Sequence, residues 1–352
     1  MELERYLDDL ESRIDPSVEL QLQHEWETFV FKGWHAPLFK PSRPAPSLPR
    51  IAWPAVRVNQ TLDATESGFT RMALQQFGLC SDQLAAGGGK ILNVRANYGT
   101  GILASVLGAS IHVMDDVYNV LPTALPLSNE QLRACASAPV PEIACGQGAR
   151  TLEMGRRLRQ LLDSRPKISR FVHLYHPDLQ GPLDIAELLW GSDIFVAFVD
   201  QPELVKALVE KVADTYLAFM DAWFEIARYP MDRPWTVHWG MMHRGRIMLR
   251  LDSGMNISPD MYRTFSLNAD TRLLARHGGA LHACGRVEHI YPIVARIPGL
   301  HGLNLSQPEY NDMESVYACT IDRGIRLLGL QVKESDRLVA AGRPTHGLIH
   351  AG

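Results

Sequence analysis

The chain has 352 residues, of which 46% are hydrophobic, and its formal net charge at pH 7 is -4. This length exceeds that of an average domain, but parallel α/β barrels reach it as single units with one core. No run of Lys or Arg supplies the basic field that nucleic-acid binding requires, so we expect no nucleic-acid partner.

The first predicted element is a polar, helical segment over residues 1–32, which lacks the apolar core of a signal peptide. The longest apolar run, residues 183–199, is interrupted by Asp184, Glu187 and Asp193, so it is not expected to span a membrane. Five cysteines without disulfide-type spacing are typical of a reducing compartment. These features predict a cytoplasmic protein without a membrane partner.

A proline-rich stretch, residues 37–49, follows the helical segment and is incompatible with a helix or a central strand. Residues 1–49 are therefore predicted to form an N-terminal helical and proline-rich arm. We expect this arm to lie over the domain surface or across a partner subunit, as an exchanged arm of a homodimer would.

From residue 50 onward, short apolar runs alternate with longer amphipathic ones. Strands are predicted at 91–96, 171–175, 247–252, 280–284, 300–305, 325–330 and 347–350, and helices at 204–227 and 259–277. Ser258 is a good N-cap for the second helix, and Pro259 suits its first position. This alternation predicts an α/β fold with a parallel sheet, and the number of units favours a (β/α)₈ TIM barrel over residues 50–352.

Polar residues at the carboxyl ends of barrel strands converge on one face, where barrel enzymes have their active sites. The candidates at such positions are Arg95, Asn97, His176, Asp178, Asp252, His282, Cys284, Asn304, Gln307 and His350. Structural roles are open alternatives: an internal ion pair for Arg95, a turn for His176 and Asp178, and orientation of a histidine for Asp252. Asp115 and Asp116 are adjacent, so at most one of them can face a site.

His282 and Cys284 are two residues apart on a predicted strand, so their side chains point to the same face. Imidazole and thiolate are both good zinc ligands, although two ligands do not by themselves make a metal site. The alternative interpretation is a core cysteine beside a hydrogen-bonded histidine at a strand end.

Three carboxyl-terminal segments, residues 251–265, 281–285 and 302–309, resemble the uroporphyrinogen decarboxylase superfamily. Residues 93–101 and 176–182 resemble an uncharacterised bacterial branch of it. The resemblance covers about residues 50–350 and implies a TIM barrel. The founding enzyme of the superfamily decarboxylates a tetrapyrrole, a porphyrin precursor. A sister branch moves methyl groups between corrinoid proteins and thiols with a zinc ion held by a His-x-Cys pair and a later cysteine.

The resemblance to the methyltransferase branch implies that Zn²⁺ is bound by His282 and Cys284. The turn at 347–352 corresponds to that of the later cysteine but contains none, and His350 is the predicted third ligand, with Glu309 or a water as a substitute. Cys319 follows Cys284 in the chain, but it lies in a predicted helix that would hold the thiol away from the barrel mouth.

The expected function is zinc-dependent transfer of a methyl group between a corrinoid, carried on a separate small protein, and a thiol acceptor. Asp252 and Gln307 are expected to orient the acceptor. The predicted substrate contacts are Arg95, Asn97, His176, Asp178, Asn304 and Glu309.

Two other functions remain open. The first is decarboxylation of a tetrapyrrole, although the arginine-rich segment of the founding enzyme has no counterpart here and only Arg57 and Arg95 are candidate replacements. The second is a barrel that binds a tetrapyrrole or a corrinoid without turnover.

Overall fold

The amino-terminal part of the chain forms two helices followed by an extended segment. The computed structural model describes residues 2–230 and 232–352 of the chain. Helix α1 covers Glu2–Arg13 and helix α2 covers Pro16–Lys32. Asp15 caps α2 by accepting the Ser17 N–H at 2.9 Å, and Pro16 occupies the first helical position.

The remaining elements alternate between helices and short strands. Up to residue 230 they are α3 (Val58–Thr61), α4 (Glu66–Ala86), β1 (Asn93–Val94), α5 (Ile102–Val106), β2 (Ile111–His112), β3 (Thr123–Ala124), α6 (Asn129–Ser137), α7 (Gly146–Asp163), α8 (Pro166–Phe171), β4 (His173–Leu174), α9 (Pro182–Trp190), α10 (Ile194–Asp200) and α11 (Pro202–Ala227). After it they are β5 (Trp235–His238), β6 (Met241–Arg244), β7 (Ile247–Arg250), α12 (Pro259–Phe265), α13 (Leu267–His277), β8 (Gly279–Ala283), α14 (Tyr291–Val294), β9 (Leu300–Leu305), α15 (Met313–Cys319), β10 (Arg326–Leu330), α16 (Val332–Ala340) and β11 (Ile349–Ala351).

Five parallel strands form the main sheet, in the order β7, β8, β9, β10, β11. The register sets Arg250 of β7 opposite His282 of β8, and His282 opposite Asn304 of β9. Directly opposed residues of neighbouring strands point to the same side of a sheet. The three side chains therefore form one row across the sheet near the carboxyl ends of its strands.

The predicted α/β class with a parallel sheet is confirmed, but the strands of the described residues do not form one hydrogen-bonded ring. Strands β1 and β4 form a separate parallel pair, and β2–β3 and β5–β6 are antiparallel hairpins. A side chain just after β4 contacts β7: the Met248 N–H donates to His176 Nε2 at 3.0 Å. Closure of these strands into a (β/α)₈ barrel stays a prediction.

The arm lies on its own chain. Phe39 exchanges backbone hydrogen bonds with β11, donating to Ile349 O at 2.8 Å and accepting from the Ala351 N–H at 3.0 Å. Trp26 is fully buried and donates to Gly89 O at 2.8 Å. The arm also packs closely against the turn before β11, where a Cβ atom on Gly347 would lie 1.9 Å from Trp34 O. The arm thus extends the main sheet and shares a core with it.

Several buried histidines are neutral in this fold. Burial lowers the pKa of His176 and His350 to about 3 and that of His243 to about 4. The Nδ1 atom of His350 accepts the Gly329 N–H at 3.0 Å, which requires an unprotonated nitrogen. The folded chain therefore keeps these rings neutral, without the second ring proton.

We expect the folded chain to lose stability through these histidines as the pH falls below about 6.5, because the unfolded chain binds protons there that the folded chain does not. Each histidine whose pKa is fully shifted changes the free energy of unfolding by up to about 1.4 kcal/mol per pH unit. Asp270, whose pKa burial raises to about 7, acts in the opposite sense because the folded chain retains its proton.

His350→Asn isolates one of these groups, since the shorter amide still offers an acceptor to Gly329. Its free energy of unfolding, measured with urea and a chelator at pH 7, 6 and 5, should depend on pH less steeply than that of the wild type by up to about 1.4 kcal/mol per unit. His24→Asn, at an exposed position, is the control and should keep the wild-type slope. A slope unchanged in His350→Asn would contradict a neutral, buried His350.

Candidate metal centre

Three potential metal ligands meet where β7 and β8 end. Asp252, His282 and Cys284 each offer one ligand atom, and these atoms all lie within 4.8 Å of one another. His282 Nε2 is 3.3 Å from Cys284 Sγ and 3.7 Å from Asp252 Oδ1. Tetrahedral zinc, with bonds of about 2.0–2.3 Å, places its ligand atoms about 3.3–3.8 Å apart. The nitrogen, sulfur and oxygen donors therefore fit a zinc ion.

The orientation of His282 is set by Asn304 on the neighbouring strand. The Asn304 amide nitrogen donates to Leu328 O at 2.6 Å, so its Oδ1 faces the imidazole and accepts the Nδ1–H at 2.6 Å. Burial, with the positive charge of Arg250, lowers the pKa of His282. A neutral ring with its proton on Nδ1 directs the Nε2 lone pair toward Cys284 and Asp252, as metal ligation requires.

Cys284 lies beside a carboxylate, which disfavours a thiolate in the absence of a cation. Its backbone N–H donates to Asp252 Oδ1 at 3.1 Å, and its Sγ is 3.5 Å from Ser306 Oγ. Burial raises the pKa of the thiol to about 11, with the Asp252 charge acting in the same direction and Ser306 against it. A cation between the three ligand atoms would offset both effects and stabilise the thiolate.

The turn that carries Asp252 rests on a second carboxyl group. Asp184, near the start of α9, accepts the Ser253 N–H at 2.7 Å and the Asp252 N–H at 3.2 Å. With its amide nitrogen facing the two acids, Gln180 donates to Asp184 Oδ2 at 2.9 Å and to Asp252 Oδ2 at 3.2 Å. Burial, together with the Asp252 charge, raises the pKa of Asp184 to about 7.

A group of charged residues, one buried and two half-buried, lies next to His282. The Arg250 guanidinium is 4.1 Å from the centre of the Trp239 ring, which meets the His282 ring edge-on at 5.0 Å. Asp178 accepts from Arg250 Nε at 3.1 Å and forms an ion pair with Arg95 at 3.0 Å. Although burial opposes it, the two guanidinium groups lower the pKa of Asp178. Two cations and one anion leave a net positive charge here.

Trp239 adopts a backbone conformation that side chains of its size rarely take. Trp239 and Gly240 form the two-residue loop between β5 and β6, with φ of 48° and 79°. Such loops favour Asn-Gly or Gly-Gly, so a tryptophan here is strained. Strain of this kind is concentrated at functional sites, and the loop holds the indole against His282 and Arg250.

A cavity of about 420 Å³ opens beside Asp252. It is lined by Thr100, Ala124, Pro126, Gln180, Asp184, Glu187, Leu188, Gly191, Ser192, Asp252, Ser253 and Asn256. This lining holds three carboxyl groups and, among the residues that the structure describes, no Arg or Lys. The cavity suits a neutral or cationic ligand better than an anionic one.

The structure brings several predicted site residues together around the three ligands. Asn304 contacts His282 directly, and Gln307 Oε1 accepts the Gly285 N–H at 2.7 Å, next to Cys284. Arg95 and Asp178 form the ion pair that was the alternative interpretation for Arg95. Asn97 is half-buried, and its Oδ1 has no hydrogen-bond partner among the described residues.

Two histidine predictions need correction. His350, the predicted third ligand, is not part of the ligand cluster; its ring packs 4.6 Å from that of Trp26, and Asp252 takes its place. His176, a predicted substrate contact, donates from Nδ1 to Pro177 O at 2.7 Å and accepts from Met248 at Nε2. Backbone groups occupy both nitrogens of the His176 ring, so neither is free for a substrate.

Acidic and basic surface candidates are also separated from the cluster. Glu309 is exposed and lines a different cavity, with Lys333 and Arg337. Arg57 is exposed and pairs with Asp116 at 3.4 Å, while Asp115 caps a turn through the Val117 N–H. Glu309 is therefore not placed to complete the ligand set, and Arg57 is not placed to replace a buried arginine of a decarboxylase.

Sequence reasoning missed four residues around the cluster: Gln180, Asp184, Trp239 and Arg250. The sequence does contain an indication of Arg250, because it is a single cation within the apolar strand run 247–251. Trp239 had another, the Trp-Gly pair between two apolar runs, which indicates a hairpin. Gln180 and Asp184 become recognisable only when α9 is packed against the turn after β7.

Comparison with known proteins identifies the fold but no family. No family model matches the sequence, and no curated protein matches it. The structure is similar to that of a methyltransferase from Methanosarcina mazei, with a TM-score of 0.58 and 15% sequence identity, over 95% of this chain and 92% of that chain. At this identity the likeness shows a shared fold. No helix in residues 2–230 or 232–352 is long and apolar enough to cross a membrane.

We expect Cys284→Ala to weaken zinc binding by more than about 100-fold, beyond the range typical for loss of an outer partner, because a ligand is removed. Competition with a chromophoric chelator measures the affinity, and the thiolate-to-cobalt absorption of the Co²⁺-loaded protein should disappear. Cys319→Ala is the matched control, since Cys319 lies on α15 outside the ligand cluster. Wild-type protein that retains no zinc after loading and dialysis would contradict the site.

Proposed function

We propose that this protein is a zinc-dependent methyltransferase that moves a methyl group between a corrinoid and a thiol acceptor. The observation that carries the proposal is the convergence of Asp252 Oδ1, His282 Nε2 and Cys284 Sγ, with the imidazole held in the ligating tautomer. The fold-level likeness to a protein named a methyltransferase supports the same reaction class. The sequence resemblance to the uroporphyrinogen decarboxylase superfamily agrees with it.

Asp252, His282 and Cys284 would hold the zinc ion. Zinc, when bound there, would lower the pKa of the acceptor thiol and so supply a thiolate at neutral pH. The thiolate of the acceptor would attack the methyl carbon of the donor as the bond from that carbon to the corrinoid breaks. The bonding electron pair, and with it the negative charge of the thiolate, would pass to the corrinoid, so the thioether product is neutral and no proton transfer accompanies the step itself.

The surrounding residues hold the proposed ligands in place. Asn304 keeps the His282 ring in one tautomer, and Gln307 fixes the backbone next to Cys284 through Gly285. Trp239 packs against both His282 and Arg250, and His282 is only 7% exposed. The cavity beside Asp252 is the proposed entry for the methyl donor or the acceptor. Positioning of this kind accounts for a large part of enzymatic rate enhancement.

Decarboxylation of a tetrapyrrole is less well supported by the same geometry. A substrate with many carboxylates needs several cationic partners. Among the described residues, the cavity beside Asp252 is lined by carboxyl groups without Arg or Lys, and Asp178 already engages both Arg95 and Arg250. Arg57 is exposed and pairs with Asp116, so it belongs neither to the cavity lining nor to the ion pairs of Asp178.

The test is a methyl-transfer assay with methylcobalamin and 2-mercaptoethanol. Zinc-loaded protein should remove the methyl group, seen as a change in corrinoid absorbance, and form the methyl thioether, seen by mass spectrometry. We expect Cys284→Ala and Asp252→Ala to lower the rate by at least about 100-fold, since each removes a ligand atom from the proposed site. Cys319→Ala should keep the wild-type rate.

A second result separates this proposal from the alternatives. Zinc binding at one ion per chain without thioether formation, even with a panel of thiols, would contradict methyl transfer and favour a binding barrel. Carbon dioxide release from a tetrapyrrole carboxylate without zinc would favour the decarboxylase.

A further inference from the structure

Two residues that are not ligands of the metal cluster, the buried Asp184 and the half-buried Gln180, hold the turn after β7. We propose that Asp184 and Gln180 are positioning residues that fix the Asp252 carboxylate for metal binding. The inference rests on the proposed metal site and deepens it, since it assigns the orientation of the third ligand to α9 and the loop before it. Neither residue belongs to the ligand cluster.

Asp184 acts on the backbone of the turn. Its carboxyl group accepts three N–H groups, from Gly181 at 3.3 Å, Asp252 at 3.2 Å and Ser253 at 2.7 Å. The group is almost fully buried, with 5% of the residue exposed. An asparagine at this position would keep one acceptor oxygen but turn an NH₂ group toward other donors, so it could not satisfy the same set.

Gln180 acts on the side chain of Asp252. Its amide nitrogen donates to Asp252 Oδ2 at 3.2 Å, while Asp252 Oδ1 accepts the Cys284 N–H at 3.1 Å. Both carboxylate oxygens are therefore held, one by the loop before α9 and one by the strand end that carries Cys284. Asp184 in turn accepts from the same amide nitrogen at 2.9 Å, which keeps Gln180 in place.

This arrangement leaves Asp252 Oδ1 facing His282 Nε2 at 3.7 Å, with no proton expected between them because the histidine proton is on Nδ1. Two acceptors directed at each other are a site for a cation. Mutation of residues that orient metal ligands in this way typically lowers metal affinity by about 10–100-fold. The contribution of Asp184 and Gln180 should therefore be measurable as a change in zinc affinity.

The test compares zinc affinity across matched variants by chelator competition. Asp184→Asn should weaken zinc binding by about 10–100-fold and alter the visible d–d bands of the Co²⁺-loaded protein while keeping the thiolate-to-cobalt band. Gln180→Leu, which leaves Asp184 in place, should weaken zinc binding in the same direction. It keeps the inference testable if Asp184→Asn does not fold.

Two controls separate positioning from loss of stability. Asp270→Asn removes a second buried carboxyl group, which accepts from Tyr262 and Ser266 outside the metal cluster, and it should leave zinc affinity unchanged. In an Asp252→Ala background, Asp184→Asn should change zinc affinity by less than about twofold, since it acts through the missing ligand.

Wild-type affinity in both Asp184→Asn and Gln180→Leu would overturn the inference, as would an equal loss in Asp270→Asn. A full effect of Asp184→Asn in the Asp252→Ala background would also overturn it, since Asp184 would then act by another route. Wild-type protein that binds no zinc would overturn the proposed function, and the positioning role with it.

Discussion

The hydrogen bond from His282 Nδ1 to Asn304 Oδ1 is the constraint on which the rest of the site depends. It exists because β8 and β9 run in register, with His282 opposite Asn304. Without it the imidazole proton could move to Nε2, and the ring would offer Cys284 and Asp252 a donor where a metal needs a lone pair. The parallel sheet therefore determines the chemical state of the histidine as well as its position.

Charge is distributed unevenly around this histidine. Arg250, which lies opposite His282 in the sheet, shares Asp178 with Arg95, and the cavity beside Asp252 is lined by Asp184, Glu187 and Asp252. In the low dielectric of the interior, neither group is screened as it would be in water. A cation at the three ligand atoms would be attracted to these carboxyl groups, while the charge of Arg250 limits protonation of His282. The Trp239 ring packs against both Arg250 and His282.

The arm explains why one histidine stays outside the site. Phe39 continues the sheet beside β11, and Trp26, Phe29 and Phe39 surround the His350 ring with centroid distances of 4.6, 6.5 and 5.8 Å. Burial among these rings keeps the imidazole neutral, and its Nδ1 satisfies a backbone donor of β10. His350 thus connects arm and sheet, a role with physical requirements different from those of a metal ligand.

The sequence by itself determined the α/β class, the helical arm, the strands at the carboxyl-terminal half and the pairing of His282 with Cys284, because hydrophobic period and the alternation of a strand are local properties. It also identified Asp252 and Asn304 as strand-end polar residues. Only the tertiary structure decided that Asp252 completes the cluster and that His350 and His176 serve the backbone, because those outcomes depend on strand register and on the packing of the arm. Asp184 and Gln180 lie about 70 residues from Asp252 along the chain, and no local pattern relates such distant positions.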